Sequence, residues 1–128
     1  MRLNKIRLSR DATLRVRQVK ARTGLTPNVL CRLGLCLSFE DEAVPAAEHY
    51  DEHGMEFNRY TLTGELDGVM MALFRQWCHE HSVGSDGEQR DAFRAHLNRG
   101  VFMLHARATS VGELLALAAD GDQATNHV

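Results

Sequence analysis

At 128 residues the chain has room for one domain around one core, and its 44% apolar and 25% charged residues exclude disordered, collagenous and membrane-spanning classes. Three cysteines (Cys31, Cys36, Cys78) are too few and odd in number for a disulfide framework, so reduced thiols are expected; the opening residues lack the apolar centre of a signal peptide, so the expected location is the cytoplasm. The formal net charge of −2 is unevenly divided: residues 1–36 hold nine bases and one acid, a local +8, which leaves −10 for the remainder.

Lys5 to Ser9 alternates with period two, the pattern of a short strand or extended arm with Ile6 and Leu8 on one face and Arg7 on the other. Ser9 then stands at an N-cap, Asp11 suits the positive end of a helix, and Gly24 is placed to stop it, so a helix is predicted over 10–23. Ala12, Val16, Val19 and Thr23 form its apolar stripe, while Leu14 and Ala21 lie nearly opposite and ask for cover on a second side. Thr13, Arg17 and Lys20 share another face, and Arg15 and Arg22 a separate edge, giving two basic ridges. Thr26-Pro27 opens a second helix. Its run from Val29 to Phe39 is apolar almost all round, with Arg32 the lone charge, which predicts near-complete burial in the core or in an oligomer seam, and Gly34 marks a tight helix crossing.

The segment from Glu40 to His53 is acidic and aperiodic and reads as a surface loop; Gly54 to Leu62 reads as extended, anchored by Phe57 and Tyr60. A third helix over 64–81 carries Leu66, Val69, Met70, Leu73, Phe74 and Trp77 as its inner stripe. After a turn over 83–88, a fourth helix presents Phe93, Leu97, Val101 and Leu104, with His96 and Gly100 beside them. Ser110 to Glu113 spells a capping box for a short last helix reaching Ala119, and residues 120–128 read as a frayed tail.

A basic segment on an acidic body points either to a polyanion partner or to neutralisation across an internal or subunit contact; the first accounts better for cations repeated along one helix. Catalytic readings lack a carrier. Cys78-His79-Glu80-His81 offers zinc-type ligands, but Cys31 and Cys36 diverge by about 140° on a helix and no paired spacing completes a site, so no metal and no cofactor are expected. Burial would raise the pKa of the thiols on the second helix, which argues against nucleophilic sulfur. Phosphate contact needs long cations on a rigid element, and Arg7, Arg10, Arg15, Arg17, Lys20 and Arg22 supply them; base reading has few tools here, so binding should follow the backbone.

The order strand, capped helix, Thr23-Gly24, capped helix resembles a ribbon-helix-helix unit over about a quarter of the chain. Lys5 to Ser9, Thr23-Gly24, Asn28-Val-Leu-Cys-Arg32 continuing through Leu35 to Ser38, and His96-Leu-Asn-Arg-Gly100 resemble, over nearly the whole sequence, the DndE family of the bacterial DNA phosphorothioation system. That resemblance implies a single helical domain over 1–119, mainly α, with a short extended, ribbon-helix-helix-like start. It also implies a homo-oligomer, a tetramer, that binds double-stranded DNA with a preference for nicked duplex and does no chemistry itself. Other Dnd proteins, its partners, would supply the cysteine-derived sulfur that replaces a non-bridging phosphate oxygen. Arg17 and Lys20 then take the main cation role, with Arg7, Arg10, Arg15 and Arg22 as helpers. The alternatives are a ribbon-helix-helix transcriptional repressor reading an operator with residues 5–9, and an assembly adaptor that touches only protein.

Overall fold

The computed structural model describes residues 3–108 together with 112, 113, 115 and 116. Strand β1 (Lys5–Arg7) pairs antiparallel with β2 (Glu56–Asn58), in the register Lys5 with Asn58, Ile6 with Phe57 and Arg7 with Glu56. Ile6 and Phe57 turn inward and are buried, so the period-two reading of the first strand holds. Its partner comes from the same chain, whereas ribbon-helix-helix strands pair across two.

Helix α1 (Arg10–Thr23) starts where Ser9 accepts a hydrogen bond from the Ala12 N–H at 3.0 Å and stops at Gly24, whose φ of 75° is left-handed. Ala12, Thr13, Val16 and Val19 are buried, while Leu14 and Ala21 are exposed. The helix is therefore covered on one side, not two: no other described element packs over its outer face, and Thr13 belongs inside rather than on a cationic face.

Helix α2 (Pro27–Glu40) buries Leu30, Cys31, Gly34, Leu35 and Ser38. Its other side leaves Leu33 and Cys36 exposed, so the core of this chain covers the helix on one side. An all-round apolar helix shows that cover is wanted, not whether its own chain provides it. The predicted tight crossing is real: α2 meets the last long helix, α5 (Asp86–Arg107), glycine to glycine, and a Cβ on Gly34 would stand 2.7 Å from the carbonyl carbon of Gly100.

Between them the expected boundaries shift. Asn58 caps a short helix α3 (Arg59–Thr63) by accepting from the Tyr60 N–H, so the extended stretch ends there; Phe57 is a buried anchor, but Tyr60 is exposed, its ring lying under Arg59 at 4.9 Å. A single 3-10 turn (Gly64–Leu66) leads into α4 (Asp67–Glu80), so the predicted helix over 64–81 starts later than expected. The Arg59 guanidinium, donating to Asp67 at 3.0 and 3.1 Å, ties the two helices and holds the Asp67 carboxyl below its usual range. Helix α4 buries Met70, Met71, Phe74, Trp77 and Cys78, while Leu66, Val69 and Leu73 are 50%, 60% and 47% exposed. The inner face is rotated from the predicted stripe toward Met71 and Cys78. An apolar band wider than the contact cannot itself say which edge is covered.

The acidic segment contains a 3-10 turn (Ala47–His49) and is otherwise loop. Two arginines of α5 hold it. Arg94 donates to the carbonyls of Tyr50 and Ala47, and Arg99 to Ser38 Oγ, the Ser38 carbonyl and the Ala43 carbonyl. Phe93, Leu97, Val101 and Leu104 of α5 are buried as expected, with His96 and Gly100 beside them. The predicted helix over 110–119 and tail over 120–128 fall mostly outside the described residues; Gly112, Glu113, Leu115 and Ala116 are helical. No helix among the described residues is long and apolar enough to cross a membrane.

His96 is fully buried between Phe39, Phe74 and Trp77, with Nδ1 2.8 Å from Ser38 Oγ. Burial, helped by the charges of Arg99 and His81, pushes its pKa down to about 3. An unfolded chain takes that proton near the ordinary value of about 6.5, so below that pH the unfolded state binds more protons and stability falls as pH drops toward 3. We expect a loss of about 2 kcal/mol between neutral pH and pH 5, before carboxylates titrate, at the linkage limit of about 1.4 kcal/mol per unit. Urea unfolding of the wild type and His96→Gln at pH 7 and pH 5 checks this; the variant should lose much less across that interval.

Candidate nucleic-acid interface

The N-terminal cations sit on a scaffold built from buried polar groups. The Ser9 N–H donates to Asn98 Oδ1 at 2.8 Å, and Asn98 donates to the Arg94 carbonyl, so the start of α1 is bonded to α5. Thr13 Oγ1 donates to the Ser9 carbonyl at 2.8 Å and accepts from the Met55 N–H at 2.9 Å. Asp51 Oδ1 accepts from the backbone N–H groups of Arg10 at 3.0 Å and His53 at 2.9 Å, an Asx turn that also reaches across to the helix. Those bonds hold the Asp51 carboxyl below its usual range. Gly54 donates to the Leu8 carbonyl and Leu8 to that of Met55, both at 2.9 Å. The loop over 51–55 is thereby stitched to β1 and the first turn of α1. Only a glycine fits there, since a Cβ on Gly54 would lie 2.1 Å from Thr13 Oγ1 and 2.4 Å from the Ser9 carbonyl oxygen.

On this frame Arg10, Arg17, Lys20 and Arg22 are all exposed; by the 100° step Arg10 and Arg17 lie on the outer side of α1, while Lys20 and Arg22 lie on its two flanks, Lys20 beside the buried Thr13. Among the described residues no ion pair engages any of these four; the ion-paired acids Glu56, Asp67, Glu52 and Asp41 are matched by Arg7, Arg59, Arg94 and Arg99. Among the described residues, then, one ion pair, Arg7 with Glu56, joins the basic segment to the acidic body, and the other three acids draw on arginines from their own part of the chain. Arg15 lies at the edge toward α5, half-buried with its guanidinium 4.7 Å from the centre of the Phe102 ring. Gln18 on the same edge meets His105 Nε2 at 2.7 Å; burial first, then the charges of Arg15 and Arg22, holds His105 below its ordinary value.

Arg7 is set apart from the rest. It pairs with Glu56 at 3.7 Å and lines a groove of about 500 Å³ in which Lys5, Arg90 and Arg94 alternate with Glu52, Glu56 and Asp91. That mixed groove offers no uniform field for a polyanion. A second, cationic cleft of about 280 Å³ brings Arg10 and Arg17 together with His53. His53 was not legible as a partner of α1, although Asp51 followed by His53-Gly54 spells a turn.

The surroundings of the three thiols disfavour the thiolate. Burial pushes Cys31 up to about 12, burial and the charge of Glu40 raise Cys36, and burial raises Cys78. Cys36 is exposed, against its expected burial, and faces Met70 sulfur to sulfur at 4.0 Å. Among the described residues no three His, Cys, Asp or Glu side chains converge as metal ligands.

The family model described as DNA sulphur modification protein DndE matches residues 5–111. Among solved structures, the crystal structure of DndE from Escherichia coli B7A, described as involved in DNA phosphorothioation modification, superimposes with a TM-score of 0.68 at 24% identity, covering 81% of this chain and 98% of that one. A double glycine-to-lysine mutant of DndE involved in DNA phosphorothioation gives 0.66 at 22% identity, covering 81% and 99%. These likenesses are of fold. No curated protein matches the sequence significantly.

Proposed function

The chain belongs to the DndE family of DNA sulphur modification proteins, and on that premise we propose that it is a non-catalytic, DNA-binding subunit of the phosphorothioation machinery. It binds the sugar-phosphate backbone of duplex DNA in the cytoplasm, with a preference for nicked duplex, and works beside other Dnd proteins. The observation that carries the reading is the set of exposed cations on α1: Arg10, Arg17, Lys20 and Arg22 are not ion-paired with any described residue, and the helix that bears them is bonded at its start to α5 through Ser9 and Asn98. Arg15, over Phe102, adds charge at the edge, and Arg7 adds least because Glu56 partly neutralises it. The raised thiol pKa values favour a binding role over sulfur chemistry on this chain.

The subunit acts as a homo-oligomer, a tetramer, joined through the outer side of α2. Leu33 and Cys36 are exposed there, and Cys36 shares a cleft with Leu73 of α4, whose neighbour Val69 is also exposed. Repeating one basic face on each protomer multiplies weak phosphate contacts into avidity.

A salt titration tests the reading. Affinity for a nicked duplex of arbitrary sequence should fall linearly on logarithmic axes, with a slope of about −0.9 for each phosphate neutralised. A flat slope would contradict phosphate-driven binding. Stronger binding to an intact palindromic promoter fragment would favour the ribbon-helix-helix repressor instead.

A further inference from the structure

The cleft of about 280 Å³ between α1 and the 51–55 loop is lined by two guanidinium groups and one imidazole, those of Arg10, Arg17 and His53, and by no carboxylate. Asp51, on the same loop, is turned onto the backbone N–H groups of Arg10 and His53, and its carboxylate also feels the charges of those two side chains, so the cleft is cationic by two guanidinium groups against one neighbouring carboxylate. Leu14, half exposed, forms part of the wall. The loop and helix are fixed to each other by main-chain bonds and by the close approach at Gly54, so the three side chains project from backbone that is already ordered. Such preorganisation reduces the freedom lost when a ligand is bound.

We propose that this cleft holds a terminal phosphate monoester of a DNA strand, as found at a nick, with Arg10 and Arg17 on its oxygens and a His53 imidazole N–H completing the cradle. The inference rests on the DNA-binding reading above and extends it to the chain end. A phosphodiester within a duplex carries one charge and two free oxygens, flanked by sugars on both sides, and suits an exposed row of cations such as Lys20 and Arg22. A monoester has three free oxygens and between one and a half and two charges near neutrality, by analogy with phosphorylated side chains. It can enter a concave site end-on, where guanidinium forks meet its oxygens in pairs. The apolar surface of Leu14 then suits the sugar that follows.

The test uses the full chain and a dumbbell duplex, closed by hairpins at both ends so that one nick is its only break. Three versions carry a 5′-phosphate, a 3′-phosphate or hydroxyls alone at the nick, and affinity is read by fluorescence anisotropy at fixed salt. One phosphorylated nick should bind about tenfold more tightly than the hydroxyl nick, the factor for one charge-assisted hydrogen bond, and which one it is gives the polarity of the bound strand. His53→Ala should remove most of that gain, bringing the phosphorylated and hydroxyl nicks to nearly equal affinity; the side chain is exposed and the bond to Asp51 is made by the backbone, so the fold is kept. Equal binding of all three duplexes, or a gain undiminished in His53→Ala, overturns the cleft assignment while leaving the DNA-binding reading intact. Absence of binding to all three overturns both.

Discussion

Replacing Arg17 and Lys20 together by glutamate is expected to lower affinity for nicked duplex at least about a hundredfold at moderate salt, and to reduce the magnitude of the salt slope by about 1 for each phosphate no longer neutralised. The two residues lie one turn apart on α1, both exposed and neither ion-paired with a described residue. The double reversal moves each protomer by four charge units at the face where the polyanion would lie. Attraction is removed, and repulsion is added. Neither side chain belongs to the buried network around Ser9, Thr13 and Asn98, so the thermal midpoint should stay close to that of the wild type. If DNA affinity and salt slope were both unchanged while association with a partner protein disappeared, the chain would be an adaptor, and the backbone-binding role would be refuted.

The sequence states the inward face of α1 and α5 plainly, because each helix has a buried stripe matching the 3.6-residue period: Ala12, Val16 and Val19 on one, Phe93, Leu97, Val101 and Leu104 on the other. It also states both caps of α1. What it does not state is anything fixed by distant partners. β2 is three residues long and is defined by its ladder to β1, about fifty positions earlier, so no local pattern separates it from the helix that follows. α4 has apolar residues on both edges, and only packing chooses between Leu73 and Met71. Arg94 and Arg99 look like ordinary exposed charges in the sequence, yet their guanidinium groups hold the acidic loop by its carbonyls. The cationic site was half legible for the same reason. Its arginines follow one helix, whereas His53 reaches them through an Asx turn bonded to the backbone of another element.

The late segment, His96 to Gly100, accounts for much of what makes the fold hold, and its last residue gives the sharpest stability test. Asn98 caps the approach to α1, His96 and Arg99 converge on Ser38, and Gly100 lets α2 come within backbone contact of α5. A Cβ added at Gly100 would stand 2.2 Å from the Gly34 carbonyl oxygen and 2.3 Å from its carbon, both main-chain atoms that no rotamer change can move. Gly100→Ala must therefore push the helices apart along a crossing that buries Leu30, Leu35, Leu97 and Val101 and stretch the bonds to Ser38. We expect a loss of about 3 kcal/mol or more, at the upper end of overpacking costs, and a fall in thermal midpoint of about 10 °C or more for a domain of this size. Gly68→Ala supplies the opposite sign. Gly68 lies inside α4, exposed, with nothing within 4 Å of an added Cβ, so alanine there should stabilise by about 0.5–1 kcal/mol through helix propensity and a less free unfolded chain. Thermal melting followed by Trp77 fluorescence reads both variants. A Gly100→Ala protein as stable as the wild type would mean that the two backbones do not touch, and the central crossing on which the placement of α1 depends would have to be redrawn.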